Sequence, residues 1–223
     1  MSRWFGAPDR GRAVHVDWAR RVRADREQVQ QVLFALLAIN VGVFVLWTQA
    51  RNAGLTSFMA AHFLVSAESV LSLRLWTLIT SCFSHMDVWH LAFNMLAMWI
   101  FGRDVGLALG SRALVHLYLV GGIVSSLAQA AFGLVTGDMT PALGASGSVM
   151  ALAVLFGALF PNRTLLLNFF IPVPAALAVG GYIVLDVLGV FGSGFGGNIA
   201  HAAHLGGAAY GLVYWWLWVR RRR

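Results

Sequence analysis

The stretch PALGASGSVMALAVLFGALFP, from Pro141 to Pro161, puts Ser146 between glycines at the head of an apolar run and closes that run with proline. A Gly-Ala-Ser-Gly turn suits a nucleophile, yet the apolar run after it reads as a membrane helix. Ser146 to Phe160 covers only about 22 Å at helical rise, against roughly 30 Å of hydrocarbon. With Pro161 marking one membrane surface, the serine lies below the other, at a helix start. Unpaired N–H groups and the positive end of the helix dipole favour a developing oxyanion at such a position. Gly144 and Gly147 permit close backbone approach there. The preceding LVTGDMTPALG, residues 134–144, is irregular backbone at depth, tolerated only where it lines protein or a water-filled cavity. The expected setting of Ser146 is a recessed helix start, open to water from one side.

The remainder of the chain is built to match. Of its 223 residues 59% are hydrophobic and only 11% charged, too apolar for a soluble domain of this size. Apolar runs and their breakers set out six spans: Val32–Gln49, Val88–Phe101, Ala113–Phe132, Ser146–Phe160, Leu165–Leu188 and Ile199–Trp218. The expected fold is an all-α membrane protein, a six-transmembrane-helix bundle forming one domain. Gly102, Gly110, Gly133, Pro161 and the glycine-rich GVFGSGFGGN punctuate it. Trp47, Trp76, Trp89, Trp99 and the Trp215, Trp216, Trp218 cluster fit interfacial belts. Between the first two spans, LTSFMAAHFLVSAESVLSLRLWTLIT (residues 55–80) is apolar and aromatic but broken by Ser, Glu and Arg. It reads as short elements lying in the interface and not as a further span.

A net charge of +7 would suggest nucleic acid in a soluble protein, but its placement here points to membrane orientation. All sixteen basic residues are arginine, and an even number of spans puts both termini on one side. That side carries fourteen of them: seven in the N-terminal tail, then Arg103, Arg112, Arg163 and Arg220 to Arg223. The other side has Arg51 and Arg74. The positive-inside rule makes the arginine-rich side cytoplasmic. Residues 1–30 read as a basic cytoplasmic tail, 31–219 as the six-span core and 220–223 as a cytoplasmic arginine tail. The tail segment VDWARRVRADREQVQQ suits a helix on anionic lipid and equally a plain orientation signal. The first thirty residues lack the short apolar stretch of a cleavable signal. With the all-arginine usage, this points to a multi-pass protein of a bacterial plasma (inner) membrane. The single cysteine, Cys82, excludes an intramolecular disulfide.

Parity brings the unusual polar residues together. The second, fourth and sixth spans all start from the outer side, and each carries its polar residues near its start: SHMDVWHLAFNM, GASGS and IAHAAHLGGAAYG. At about 1.5 Å per residue, His90, Asn94, Ser146 and His204 fall at one depth in the outer half of the membrane. Polar groups are costly there and should face one another or water. His90 and Asn94 are four apart and share a helix face. His204, Gly207 and Gly211 share a face of the sixth span, as Ser146, Ala153 and Gly157 do of the fourth. Small residues on facing stripes let membrane helices approach closely, which would set His204 beside Ser146.

Taken in order, GASG on one span, AHLGGAAYG on a later one and HLAFN on an earlier one resemble the rhomboid intramembrane serine proteases. The resemblance covers the chain from about Val32 to Trp218, and the three motifs in this order and parity carry it. It implies that Ser146 is the nucleophile and His204 the general base of a dyad that hydrolyses peptide bonds in or near transmembrane segments of other membrane proteins. It places His90 and Asn94 as oxyanion-stabilising groups beside the Ser146 backbone N–H, with Gly144, Gly147, Met150, Gly207 and Gly211 in support. The partners implied are transmembrane substrates and the lipid bilayer, without nucleic acid and without a metal or organic cofactor. Two departures stand out. The family often has Trp-Arg in the first outer loop, where this chain reads Trp76-Thr77, implying a less rigidly tied loop. It often has an aromatic residue one turn after the serine, stacking on the histidine, where this chain has Met150; a thioether can pack there too.

Other polar residues receive plainer readings. His201 and His204 have a spacing that can ligate metal, and His85 and His90 could add ligands. No HExxH occurs, however, and the acidic residues are poorly placed for a metal. His201 reads as a rim residue facing water. Asp186, near the outer end of the fifth span, is the one candidate for a third catalytic residue and reads instead as a carboxylate solvated by the outer loop. Two alternatives of other classes remain: a non-catalytic rhomboid-like binder of transmembrane helices, and a transporter lined by His90, Asn94 and His204. Retention of both serine and histidine argues against the first, and the lack of an inverted repeat against the second.

Overall fold

The computed structural model describes residues 10–167, 170–192 and 200–222, and among these the chain is helical apart from one β-hairpin and the connecting loops. Helix α1 (Arg10–Asn52) runs unbroken through residue 30 into the first span. Val29, Leu33, Leu36, Asn40, Val43, Trp47 and Ala50 are all buried. They alternate in steps of four and three, which keeps one seam of a long helix against its neighbours. In mid-seam, Asn40 donates through Nδ2 to the Tyr118 hydroxyl at 2.9 Å, and Tyr118 donates to the Cys82 carbonyl at 2.9 Å. Where no water competes, such bonds locate a helix together with its packing.

The first loop forms the short elements expected of it: α2 (Thr56–Phe63), α3 (Ala67–Leu71) and α4 (Thr77–Thr80). It is tied down, contrary to the slack implied by Trp76-Thr77. Ser66 and Ser69 form a reciprocal cap at α3, and the Thr77 hydroxyl donates to the Arg74 carbonyl at 2.7 Å. Trp76 stacks on His62. A two-bond bridge joins Val65 to Ala142 (2.9 and 2.7 Å), bracing the approach to Ser146.

Helix α5 (Val88–Ala97), a π-turn at Met98–Gly102 and α6 (Arg103–Leu109) make one rod, longer than the expected second span. Gly102 lies inside that rod and Gly133 inside α7 (Ser111–Thr136), so neither ends a helix as expected. Gly110 and Gly137 do, with φ of +92° and +78°. Helix α8 (Ser146–Leu159) passes through the centre, buried continuously from Gly147 to Gly157.

The fifth span is corrected at its start. Its first described residues are extended: β1 (Thr164–Leu167) and β2 (Ile171–Pro174) pair as an antiparallel hairpin. Pro172 and Pro174 lack the N–H a helix needs and hold the residues before them extended. Helix α9 (Ala175–Phe191) comes next, then α10 (His201–Tyr214), prolonged by a π-turn at Trp215–Val219. At the end of the bundle away from Ser146, Arg163 pairs with Asp104 at 2.7 Å. Among the described residues three segments, Arg23–Asn52, Val88–Leu109 and Ser111–Thr136, are long and apolar enough to cross a membrane; α8 and α9 are shorter apolar helices. The protein is an all-α membrane bundle. The expected start of the sixth span, Ile199, lies outside the described residues.

Close approach of α8 and α10 is real, on a stripe next to the expected one. A Cβ on Gly207 would overlap the Gly147 carbonyl, and one on Gly211 would sit 2.7 Å from the Ala151 oxygen. Gly157, expected on this seam, faces Val179 of α9 instead. The reason is that α8 is enclosed, so each of its faces meets a different helix and no single stripe serves all contacts.

Candidate active site

The site begins with how its helices start. Asp87 caps α5, its Oδ1 accepting from the Trp89 and His90 N–H groups at 2.9 Å each. This fixes His90 in the first turn and Asn94 one turn on. Asn94 is buried and donates through Nδ2 to the His90 carbonyl at 2.9 Å. The His90 ring lies across Gly144, where a Cβ would come within 2.8 Å of it, and Gly144 has φ of +123°. Only glycine meets both demands.

Backbone bonds then present the serine. The Gly144 N–H donates to the Ser81 carbonyl at 2.9 Å, and the Ala145 N–H is 3.4 Å from His85 Nε2. His85 is fully buried, edge-on to His90 at 4.9 Å between ring centroids. Burial first, and His90 second, lower its pKa to about 3. The ring is therefore neutral and its Nε2 lone pair can accept. The first bond of α8 runs from the Val149 N–H to the Ala145 carbonyl at 2.9 Å. The N–H groups of Ser146, Gly147 and Ser148 thus have no acceptor within the helix, an arrangement able to receive an oxyanion.

Ser146 Oγ lies 2.8 Å from His204 Nε2. The structure therefore brings the two expected reacting residues together. It also brings in two for which plainer roles were expected. Asp186 is 2% exposed and not solvated; its Oδ1 accepts from His204 Nδ1 at 3.0 Å and from His201 Nδ1 at 2.8 Å. His201 accordingly turns toward α9, with its side chain 12% exposed, and is not a plain rim residue. A lone carboxylate at this depth is costly in water-poor surroundings, so α9 is rotated to give it donors. A carboxylate that accepts at both contacts requires a proton on each Nδ1, an arrangement in which His204 Nε2 faces Ser146 Oγ as an acceptor.

The aromatic ring beside His204 is Tyr182, 5.9 Å away between centroids and one turn before Asp186. Met150, the residue expected in that place, packs with Val154, Val179 and Ala208. Spacing could have flagged Tyr182 and Asp186, which are four apart on one face, but nothing in the sequence says which way that face points.

Fold and site together define a polytopic helical membrane protein with a serine, a histidine and a carboxylate aligned inside the bundle. The rhomboid domain model matches residues 72–221. RHOMBOID-like protein 12, mitochondrial, of Arabidopsis thaliana is 38% identical over 200 residues, covering 83% of this chain and 58% of the relative. Rhomboid protein 1, mitochondrial, of Saccharomyces cerevisiae is 34% identical, over 84% of this chain and 53% of its own length. Presenilin-associated rhomboid-like protein A, mitochondrial, of Danio rerio is 32% identical, over 83% and 47%. The chain belongs to the rhomboid family. It spans about half the length of these relatives.

Proposed function

We propose that this protein is an intramembrane serine endopeptidase that hydrolyses peptide bonds in or near the transmembrane segments of other membrane proteins. The observation that carries the reading is the 2.8 Å contact of Ser146 Oγ with His204 Nε2 at an unpaired helix start. Membership of a family whose members are generally intramembrane serine proteases supports it. Ser146 Oγ attacks the scissile carbonyl carbon while its proton passes to His204 Nε2. The C–N bond then breaks as His204 returns that proton to the leaving nitrogen. Water, deprotonated in turn by His204, hydrolyses the acyl ester and regenerates Ser146. The Ser146 N–H, the His90 ring and the second amide hydrogen of Asn94 serve the oxyanion. Losing one such donor, as in Asn94→Ala, lowers kcat by about 10²- to 10³-fold with KM little changed.

The same reading has six crossings, with both termini on the cytoplasmic side of a bacterial plasma membrane. The arginine asymmetry supports this orientation; the mitochondrial names belong to the relatives. Membrane fractionation with single-cysteine labelling at Asp138 and Arg163 in a Cys82-free background checks it. Outside labelling at Arg163 would reverse the orientation.

The deciding experiment compares wild type with Ser146→Ala and His204→Ala on a generic transmembrane substrate in detergent. Both variants should be inactive yet folded, and a fluorophosphonate probe should label wild type alone. A Ser146→Ala protein that cuts at wild-type rate ends the protease reading. Substrate capture without any cleavage by wild type favours a non-catalytic binder.

A further inference from the structure

We propose that Asp186 is a positioning residue for His204, so that the site operates as a serine–histidine–aspartate line, with His201 as the carboxylate's second donor. This rests on the protease reading of Ser146 and His204. Observations on two helices converge on it. Asp186 on α9 is buried, and its hydrogen-bond partners are two imidazoles of α10. His201 and His204 are three apart, hence neighbours on the first turn of α10, and one carboxylate reaches both. Gly189, three residues after Asp186, places bare backbone against the His201 ring, which any Cβ there would overlap. Helix α9 is thus shaped to admit the imidazole that shares its carboxylate.

The consequence for the proton is specific. With Asp186 ionised, the His204 proton is held on Nδ1 and Nε2 faces the serine. When Nε2 takes the Ser146 proton, the imidazolium lies against a fixed negative charge. Asp186 itself stays deprotonated throughout, as expected for an orienting carboxylate. His201 occupies the same Oδ1 and holds the carboxylate plane. A carboxylate that merely tied α9 to α10 would not need to engage the one imidazole whose other nitrogen meets a serine.

The test is Asp186→Asn in the full chain, in detergent micelles. Asparagine is isosteric but uncharged; with its oxygen in the Oδ1 place it can still accept from both imidazoles. It removes the negative charge that faces the imidazolium, and it puts an amide donor in the Oδ2 place, 3.2 Å from His204 Nδ1, where an acceptor stood. The expected result is a kcat about 10²- to 10⁴-fold lower, with KM within about twofold of wild type, since only a transition-state contact is lost. Fluorophosphonate labelling of Ser146 falls in parallel, while the thermal midpoint stays near that of wild type. His201→Gln and Gly189→Ala leave Asp186 in place and should cost less than Asp186→Asn. A second readout is independent of activity: a low-field proton resonance from His204 Nδ1–H in wild type, absent from His204→Ala.

An Asp186→Asn protein keeping more than a tenth of wild-type kcat overturns the proposal. A fall in rate explained wholly by KM overturns it too. Should that variant fail to fold, the wild-type resonance decides: present, it supports the line; absent, it overturns it. Ser146→Ala separates the two levels. If Ser146→Ala is dead and Asp186→Asn fully active, only this inference fails; if Ser146→Ala is active, the protease reading fails with it.

Discussion

Helices α8 and α9 are both apolar, similar in length and consecutive apart from the hairpin, yet the bundle treats them oppositely. Every residue of α8 from Gly147 to Gly157 is buried. On α9 only Ala175, Val179 and Asp186 are. The difference shows two ways of placing a functional group in a membrane. Ser146 is located by shape: α8 is gripped on all sides, so its first residue has nowhere else to be. Asp186 is located by chemistry, since the outer part of α9 has one buried position and that position is a carboxylate with two donors.

The comparison can be broken at several strengths. The largest effect should come from Gly207→Val, whose side chain must occupy the place of the Gly147 carbonyl. Backbones that pack through glycine cannot separate without losing the whole contact. We expect no folded protein by size exclusion and no probe labelling at Ser146; a monodisperse, labelled Gly207→Val protein would falsify the tight α8–α10 seam. Next is Phe156→Ala, in the middle of α8 and 1% exposed. It removes dispersion contacts on several faces and should cost about 3–5 kcal/mol, read as a lower unfolding midpoint in detergent. Val179→Ala trims the two methyl groups of the α9 side chain that faces Gly157 and should cost about 1 kcal/mol. Smallest is Leu185→Ala, beside Asp186 but half exposed on the outer surface of α9. It should change stability by under about 0.5 kcal/mol and leave kcat unaltered. Equal costs for Phe156→Ala and Leu185→Ala would erase the distinction between a gripped and a peripheral helix.

What is legible in the sequence divides along the same line. That Ser146 and His204 could meet is legible, because parity and helical rise assign a common depth without any knowledge of packing, and their side chains are 2.8 Å apart. Gly207 and Gly211 are legible as a close-approach stripe, though the partner stripe lies one position away from the expected one. The hairpin at 164–174 is hidden by its apolarity: Leu165, Leu166, Leu167 and Ile171 read as span and outweigh Pro172 and Pro174. His85 reads in the sequence only as a possible metal ligand, since its place behind the Ala145 N–H depends on a loop conformation far along the chain.

Asp186 is the instructive failure. Its depth near the end of a span is as expected, but depth is one coordinate and the rotation of α9 is another. An apolar helix with a single carboxylate states only that the group must find partners or water. By itself the sequence determined the class of protein and offered Ser146, His204, His90 and Asn94 as polar residues of one depth, because hydropathy and 1.5 Å per residue are properties of one chain segment at a time. Only the tertiary structure decided that the carboxylate meets His204 and His201 and that Tyr182, not Met150, flanks the imidazole. Those outcomes depend on the angle at which α9 packs against α8 and α10, which is set by steric fit among helices and by the need of a buried charge for donors.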